Sequence, residues 1–97
     1  TTLSDLDIAS YILYHHERWD GQGYPKGLKG SEIPFVSRII TIADAYDAMT
    51  SERSYRGALP PKIAKEELQK NAGTQFDPEL VKVFIDKVLS LDYISKL

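Results

Sequence analysis

His15 and His16 are the only two histidines in the chain, they are adjacent, and Glu17 follows them directly. Imidazole is the commonest metal-binding side chain and the one whose charge changes near neutral pH. Two readings of the pair are open. At the end of a helix, histidines interact favourably with the macrodipole. As metal ligands they are constrained by geometry, because neighbouring helical residues point about 100° apart. Adjacent histidines therefore cannot easily close on one ion as an i, i+4 pair does, but they can serve two metals, one each.

A second set of groups stands in the segment Ile39-Ile40-Thr41-Ile42-Ala43-Asp44-Ala45-Tyr46-Asp47-Ala48-Met49, which places two carboxylates inside the most apolar stretch of the chain. A buried carboxylate without a partner costs several kcal/mol. Asp44 and Asp47, spaced i, i+3, share a helical face, so that face is expected to meet cations, metals or hydrogen-bond donors. The plain structural alternative pairs one of these aspartates with Arg38 or Arg53. No cysteine is present, which excludes disulfides, thiolate nucleophiles, Fe–S clusters and cysteine-based zinc sites. Carboxylate and imidazole without thiol suit Mn, Fe or Mg better than a structural zinc.

Four helices are expected to position these groups. Ser4-Asp5-Leu6-Asp7 fits a capping box with aspartate at its last position, and Leu3 with Ile8 fits the accompanying hydrophobic staple. The first helix is predicted over Asp5 to Glu17, with the histidines at its end. From Arg18 to Pro34 the chain is dense in glycine and proline, which breaks both helical and strand periodicity. Loops of this length in compact domains are usually functional or disordered. The second helix is predicted over Phe35 to Ser51, apolar around more than half its circumference and so buried on several sides. Pro60-Pro61 opens a third helix, to about Asn71, closed by Gly73. Asp77-Pro78 opens a fourth, with Leu80, Val81, Phe84, Ile85, Val88 and Leu89 at helical spacing. No segment reads convincingly as a strand, so the fold class is all-α.

The 97 residues suffice for one ordinary domain and no more. Hydrophobic residues make up 42% and charged residues 27%, a globular balance. The formal charge of -2 supplies no field that would draw in DNA or an anionic membrane. No apolar run approaches the roughly 20 residues needed to span a bilayer. The first residues carry no signal-peptide pattern, so a cytoplasmic location is expected.

The loop carries the most specific signal. His15-His16-Glu17-Arg18-Trp19-Asp20-Gly21-Gln22-Gly23-Tyr24-Pro25, continuing through Lys26-Gly27-Leu28-Lys29-Gly30 and Glu32-Ile33-Pro34, resembles the signature of the HD-GYP domain, a branch of the HD-type metal-dependent phosphohydrolases. The likeness extends through Ala43 to Ser51, Arg53-Ser54-Tyr55-Arg56 and Gly73 to Leu80, in order and in register. It implies an all-helical, HD-domain-like bundle with two or three divalent ions, Fe or Mn foremost, that hydrolyses cyclic di-GMP. Water activated by the metals would attack a phosphodiester phosphorus, with the metals stabilising the added charge. By position, His15, His16 and Asp44 match metal ligands of the family, and Tyr24, Arg53 and Arg56 match residues that hold the dinucleotide. The residue types suit those roles. Arginine forks pair bidentately with phosphate, a tyrosine stacks on a base or bonds a phosphate, and glycines allow close backbone approach. The structural alternatives are that Arg53 and Arg56 are solvated charges, that Gly21, Gly23 and Pro25 only shape a turn, and that Trp19 plugs the core.

One departure is serious. The family's His-Asp pair and its other upstream ligands come before the histidine pair, and only fourteen residues precede His15 here. Residues 1–97 are thus expected to be the C-terminal portion of an HD-GYP domain, a partial bundle with the GYP loop and a minority of the ligands. Such a piece leaves apolar surface on its first two helices, to be covered by a homodimer partner or by the missing N-terminal half. Two functions follow as expectations. The first is part of a cyclic di-GMP phosphodiesterase. The other is a catalytically inert truncated relative that acts as a binding or dimerisation module.

Overall fold

The computed structural model describes residues 5–52 and 57–89, with side chains from residue 8 onward. The fold is all-α. Helix α1 covers Asp5–Leu13 and tightens into a 3-10 turn over Tyr14–His16. After the loop and a short 3-10 turn at Gly30–Glu32 come α2, Phe35–Thr50, and α3, Pro61–Lys70. Helix α4, Pro78–Val83, continues as π-helical turns over Phe84–Leu89. Among the described residues, extended pairing is limited to isolated bridges, Asp20 with Lys29 and Ala72 with Phe76.

The helix boundaries follow local chemistry. Pro61 occupies the first turn of α3, where its missing N–H has no partner to lose. The Asp77 carboxylate caps α4 by accepting from the backbone N–H groups of Glu79, at 3.0 Å, and Leu80, at 3.4 Å, with Pro78 next in the chain. Gly73 adopts φ +90° in the α3–α4 turn, a left-handed conformation that suits glycine. The α-helical part of α1 is shorter than its sequence pattern predicts. The chain switches to a 3-10 bond from Glu17 N–H to the Tyr14 carbonyl, 3.1 Å, and Glu17 is already extended. The expected Ser4 cap lies outside the described residues.

Ile42, Leu68, Phe76 and Val81 form the core, with Tyr46, Met49, Leu80 and Phe84 packed around it. One side of α2 thus meets α3 and α4. Another side holds α1 through two hydroxyls: Ser37 Oγ donates to the Tyr11 carbonyl at 2.8 Å, and Thr41 Oγ1 to the His15 carbonyl at 2.6 Å. Contrary to the expectation from its sequence, α2 is not buried on several sides. Phe35, Val36 and Ile39 on α2 are exposed, as are Ile8, Ile12 and Leu13 on α1. Four short helices do not have enough surface to enclose both faces of so apolar a helix.

The Arg38 side chain is also placed differently from the structural alternative in which it pairs with an aspartate of its own helix. Its Nη1 donates to Asp77 Oδ2 at 2.7 Å and its Nε to the Ile33 carbonyl at 3.0 Å. The guanidinium lies 5.9 Å from the Trp19 ring centre and 5.3 Å from that of Phe35. Trp19, half-buried, therefore helps to shield an ion pair that joins the start of α2 to the cap of α4.

Candidate metal and substrate site

His15 and His16 are delivered by the 3-10 turn after α1, and Asp44 by the middle of α2. Thr41, one turn before Asp44, clamps the His15 carbonyl and so fixes the two elements against each other. Nε2 of His15 lies 4.0 Å from Asp44 Oδ2. On its other side, His15 Nδ1 donates to the Ile12 carbonyl. That bond assigns the proton to Nδ1 and leaves the lone pair of a neutral ring on Nε2, on the side of the carboxylate. Two electron-pair donors this close favour a cation between them.

The expected burial of the two aspartates does not hold. Asp44 is 68% exposed, and Asp47, also exposed, accepts from Ser51 Oγ at 3.1 Å. The apolar residues around them in sequence face elsewhere, so a carboxylate in an apolar run is here on the open side of the helix. An exposed Asp44 carries no desolvation penalty that would require a cation, and the group that faces it is His15 Nε2. Among the described residues, no group of three His, Cys, Asp or Glu side chains is arranged to hold an ion.

His16 meets the loop. Its ring stacks on that of Tyr24 with centroids 4.8 Å apart and planes 14° from parallel, while the His15 and His16 ring centres are 4.0 Å apart. The loop reaches this contact by an unusually close backbone approach. Tyr24 N–H donates to the His16 carbonyl at 3.3 Å. A Cβ on Gly23 would stand 2.5 Å from both the His16 carbonyl oxygen and the Arg18 nitrogen, so only glycine fits without backbone movement. The loop is tied to the α3–α4 turn as well, by Trp19 N–H to the Gln75 carbonyl at 3.2 Å and Asp20 N–H to that of Thr74 at 2.8 Å.

Together His15, His16, Tyr24, Asp44, Thr41 and Gln75 line an open cavity of about 300 Å³. Arg18 reaches its edge and is gripped by Asp20 through Nε at 3.1 Å and Nη2 at 3.0 Å. The Arg18 side-chain bond, helped by the Gln22 N–H, holds the Asp20 carboxyl below the ordinary aspartate range. A larger hollow of about 410 Å³ lies between Tyr46, Leu59, Phe84 and Val88 and offers no cluster of titratable groups. Arg53 and Arg56 lie outside the described residues. Sequence reasoning gave no role to Glu17, Thr41 or Gln75. Glu17 had a readable signal, a carboxylate directly before a glycine-rich run whose amides have no helix or strand to bond.

The arrangement is that of an all-α domain presenting imidazole and carboxylate beside an open cavity with Tyr24 in its wall. The chain belongs to the HD domain family, whose model matches residues 3–80. It is 46% identical over 77 residues to a cyclic di-GMP phosphodiesterase of Thermotoga maritima, covering 79% of this chain and 21% of that protein. It is 43% identical over 82 residues to the 3'3'-cGAMP-specific phosphodiesterase 2 of Vibrio cholerae, covering 84% of this chain and 16% of that one. The crystal structure of a cyclic GMP-AMP specific phosphodiesterase from V. cholerae superposes with a TM-score of 0.77 at 33% identity, over 96% of this chain and 21% of that chain. The chain thus spans between about a sixth and a fifth of the length of these curated relatives. Among the described residues, no helix is long and apolar enough to cross a membrane.

Proposed function

We propose that this chain is the C-terminal portion of an HD-GYP domain and forms part of a metal-dependent phosphodiesterase acting on cyclic dinucleotides, with cyclic di-GMP as substrate. The single observation that carries this reading is the His15–Asp44 pair, 4.0 Å apart, opening beside the His16–Tyr24 stack in one cavity. In this reading His15, His16 and Asp44 are metal ligands, and Tyr24, Arg53 and Arg56 hold the substrate. Fe or Mn is the fitting metal, with two or three ions in a complete domain. A divalent cation bound there would polarise a phosphoryl oxygen and lower the pKa of a bound water.

The chain's own residues prepare that chemistry. Ile12 orients the His15 ring through Nδ1, so that Nε2 presents its lone pair beside Asp44. Tyr24 offers an exposed ring face on which a nucleobase can stack. Arg53 and Arg56 would engage the phosphates bidentately. The exposed apolar residues of α1 and α2 would be covered by a second copy or by the remainder of the protein. Sedimentation at micromolar concentration is expected to give a species larger than a monomer for the 97-residue chain, and a well-folded monomer would contradict that.

A second reading is an inert binding or dimerisation module, and the exposed apolar residues of α1 and α2 support it. Turnover separates the two. The phosphodiesterase reading expects the full-length protein to contain divalent metal and to hydrolyse cyclic di-GMP, and a chelator to stop it. It is wrong if metal-replete protein releases no product from cyclic di-GMP.

A further inference from the structure

Glu17 is 2% exposed and carries a carboxylate with no cationic side chain bonded to it among the described residues, yet both its oxygens are used. Oε2 accepts from the Lys26 N–H at 2.8 Å, and Oε1 from the Leu28 N–H at 2.9 Å. These two amides flank Gly27, which takes a left-handed φ of +70°. The bonds join the two sides of a single ring contact. Glu17 follows His16 in the chain, and Lys26 comes two residues after Tyr24, so the carboxylate spans the base of the His16–Tyr24 stack. Gly23 completes the seam, because a Cβ there would lie 2.7 Å from the Glu17 Cα.

We propose that Glu17 is the positioning residue of this cavity: its carboxylate, by accepting the Lys26 and Leu28 amides, fixes the loop so that Tyr24 lies flat on His16 with its outer face turned to an incoming nucleobase. The ligand-binding half of this proposal rests on the function proposed above. Stacking requires a ring held in a defined plane, and an exposed tyrosine on a loop without such a latch would populate many orientations and lose affinity to ordering entropy. A glutamine is nearly isosteric with Glu17, but its amide nitrogen donates and cannot accept. Glu17→Gln therefore leaves one of the two backbone N–H groups buried against a donor.

The test uses the full-length protein with Glu17→Gln and Glu17→Ala, read in three ways. The ring-proton shifts of His16 and Tyr24 should lose their mutual ring-current displacement, and the Lys26 and Leu28 amides should exchange faster. Divalent metal content should stay at the wild-type level. Cyclic di-GMP affinity should fall about tenfold in Glu17→Ala and by less in Glu17→Gln, a change of roughly 1.4 kcal/mol for the former. Unchanged ring shifts overturn the proposal, and so does wild-type affinity alongside displaced rings. A protein whose wild-type form binds no cyclic di-GMP refutes the functional reading instead, and the ring shifts of Glu17→Gln then decide the latch by themselves. If Glu17→Ala does not fold, Glu17→Gln carries the same comparison.

Discussion

His15 Nε2 and Asp44 Oδ2 face one another at 4.0 Å, brought together by a hydroxyl clamp from Thr41 to the His15 backbone and by the Ile12 carbonyl behind the ring. The first expectation follows from this pair. Asp44 is 68% exposed, so Asp44→Ala should change the unfolding free energy of the metal-free protein by no more than about 0.5 kcal/mol. Added Mn²⁺ should raise the Tm of the wild type, by about 2.7 kcal/mol of linkage at a hundredfold excess over Kd, and should have much less effect on the variant. Calorimetry with and without Mn²⁺ measures both.

Gly23 sits where a methyl group would meet backbone atoms at 2.5 Å on two sides. Gly23→Ala should therefore push the loop away from the 3-10 turn, at a cost of about 1–3 kcal/mol in urea unfolding. The same change should abolish the His16–Tyr24 ring-current shifts.

The Arg38–Asp77 pair is the most buried charge contact among the described residues, with side chains 16% and 6% exposed. Removing one partner strands the other. Asp77→Ala also takes away the cap of α4, and should cost about 3–5 kcal/mol, measured by chemical denaturation. Asp77→Asn keeps an acceptor for the Glu79 and Leu80 amides and should cost less.

Asp20 supplies the pH dependence. Its carboxyl is held below the ordinary range by Arg18, so the folded pKa lies under the unfolded value of about 3.9. The sign is that of a depressed carboxylate. The contribution is complete above the unfolded pKa and is lost as pH falls through the folded one. Carbon-13 titration of the Asp20 carboxyl should give a midpoint below about 3.9 in the wild type, and one nearer that value in Arg18→Ala. An unshifted wild-type midpoint would contradict the pairing.

Much of this arrangement is legible in the sequence, and for physical reasons. Proline positions and the Asp77 cap mark the starts of α3 and α4 because their chemistry acts over two or three residues. Gly23 in the loop signature answers to a backbone clearance that only glycine satisfies. What depends on long-range packing is not legible. Periodicity placed Asp44 and Asp47 within an apolar stretch but could not say which side of α2 faces α3 and α4, and it is the open side that carries them. Arg38 reads equally well as a partner for its own helix, and only the approach of α4 brings Asp77 to it. The structural use of Glu17 depends on a loop returning to it, which no local pattern encodes.

The central claim is that two sets of residues divide the labour of one cavity, His15, His16 and Asp44 holding metal while Tyr24, Arg53 and Arg56 hold the dinucleotide. Metal stoichiometry and cyclic di-GMP affinity, measured side by side in the full-length protein for Asp44→Ala and Arg53→Ala, test it directly. The account predicts that Asp44→Ala loses metal and turnover. It predicts that Arg53→Ala keeps its metal and binds substrate roughly 10- to 150-fold more weakly, the equivalent of about 1.5–3 kcal/mol of charged hydrogen bonding. A full metal complement in Asp44→Ala, or unaltered substrate affinity in Arg53→Ala, would contradict it.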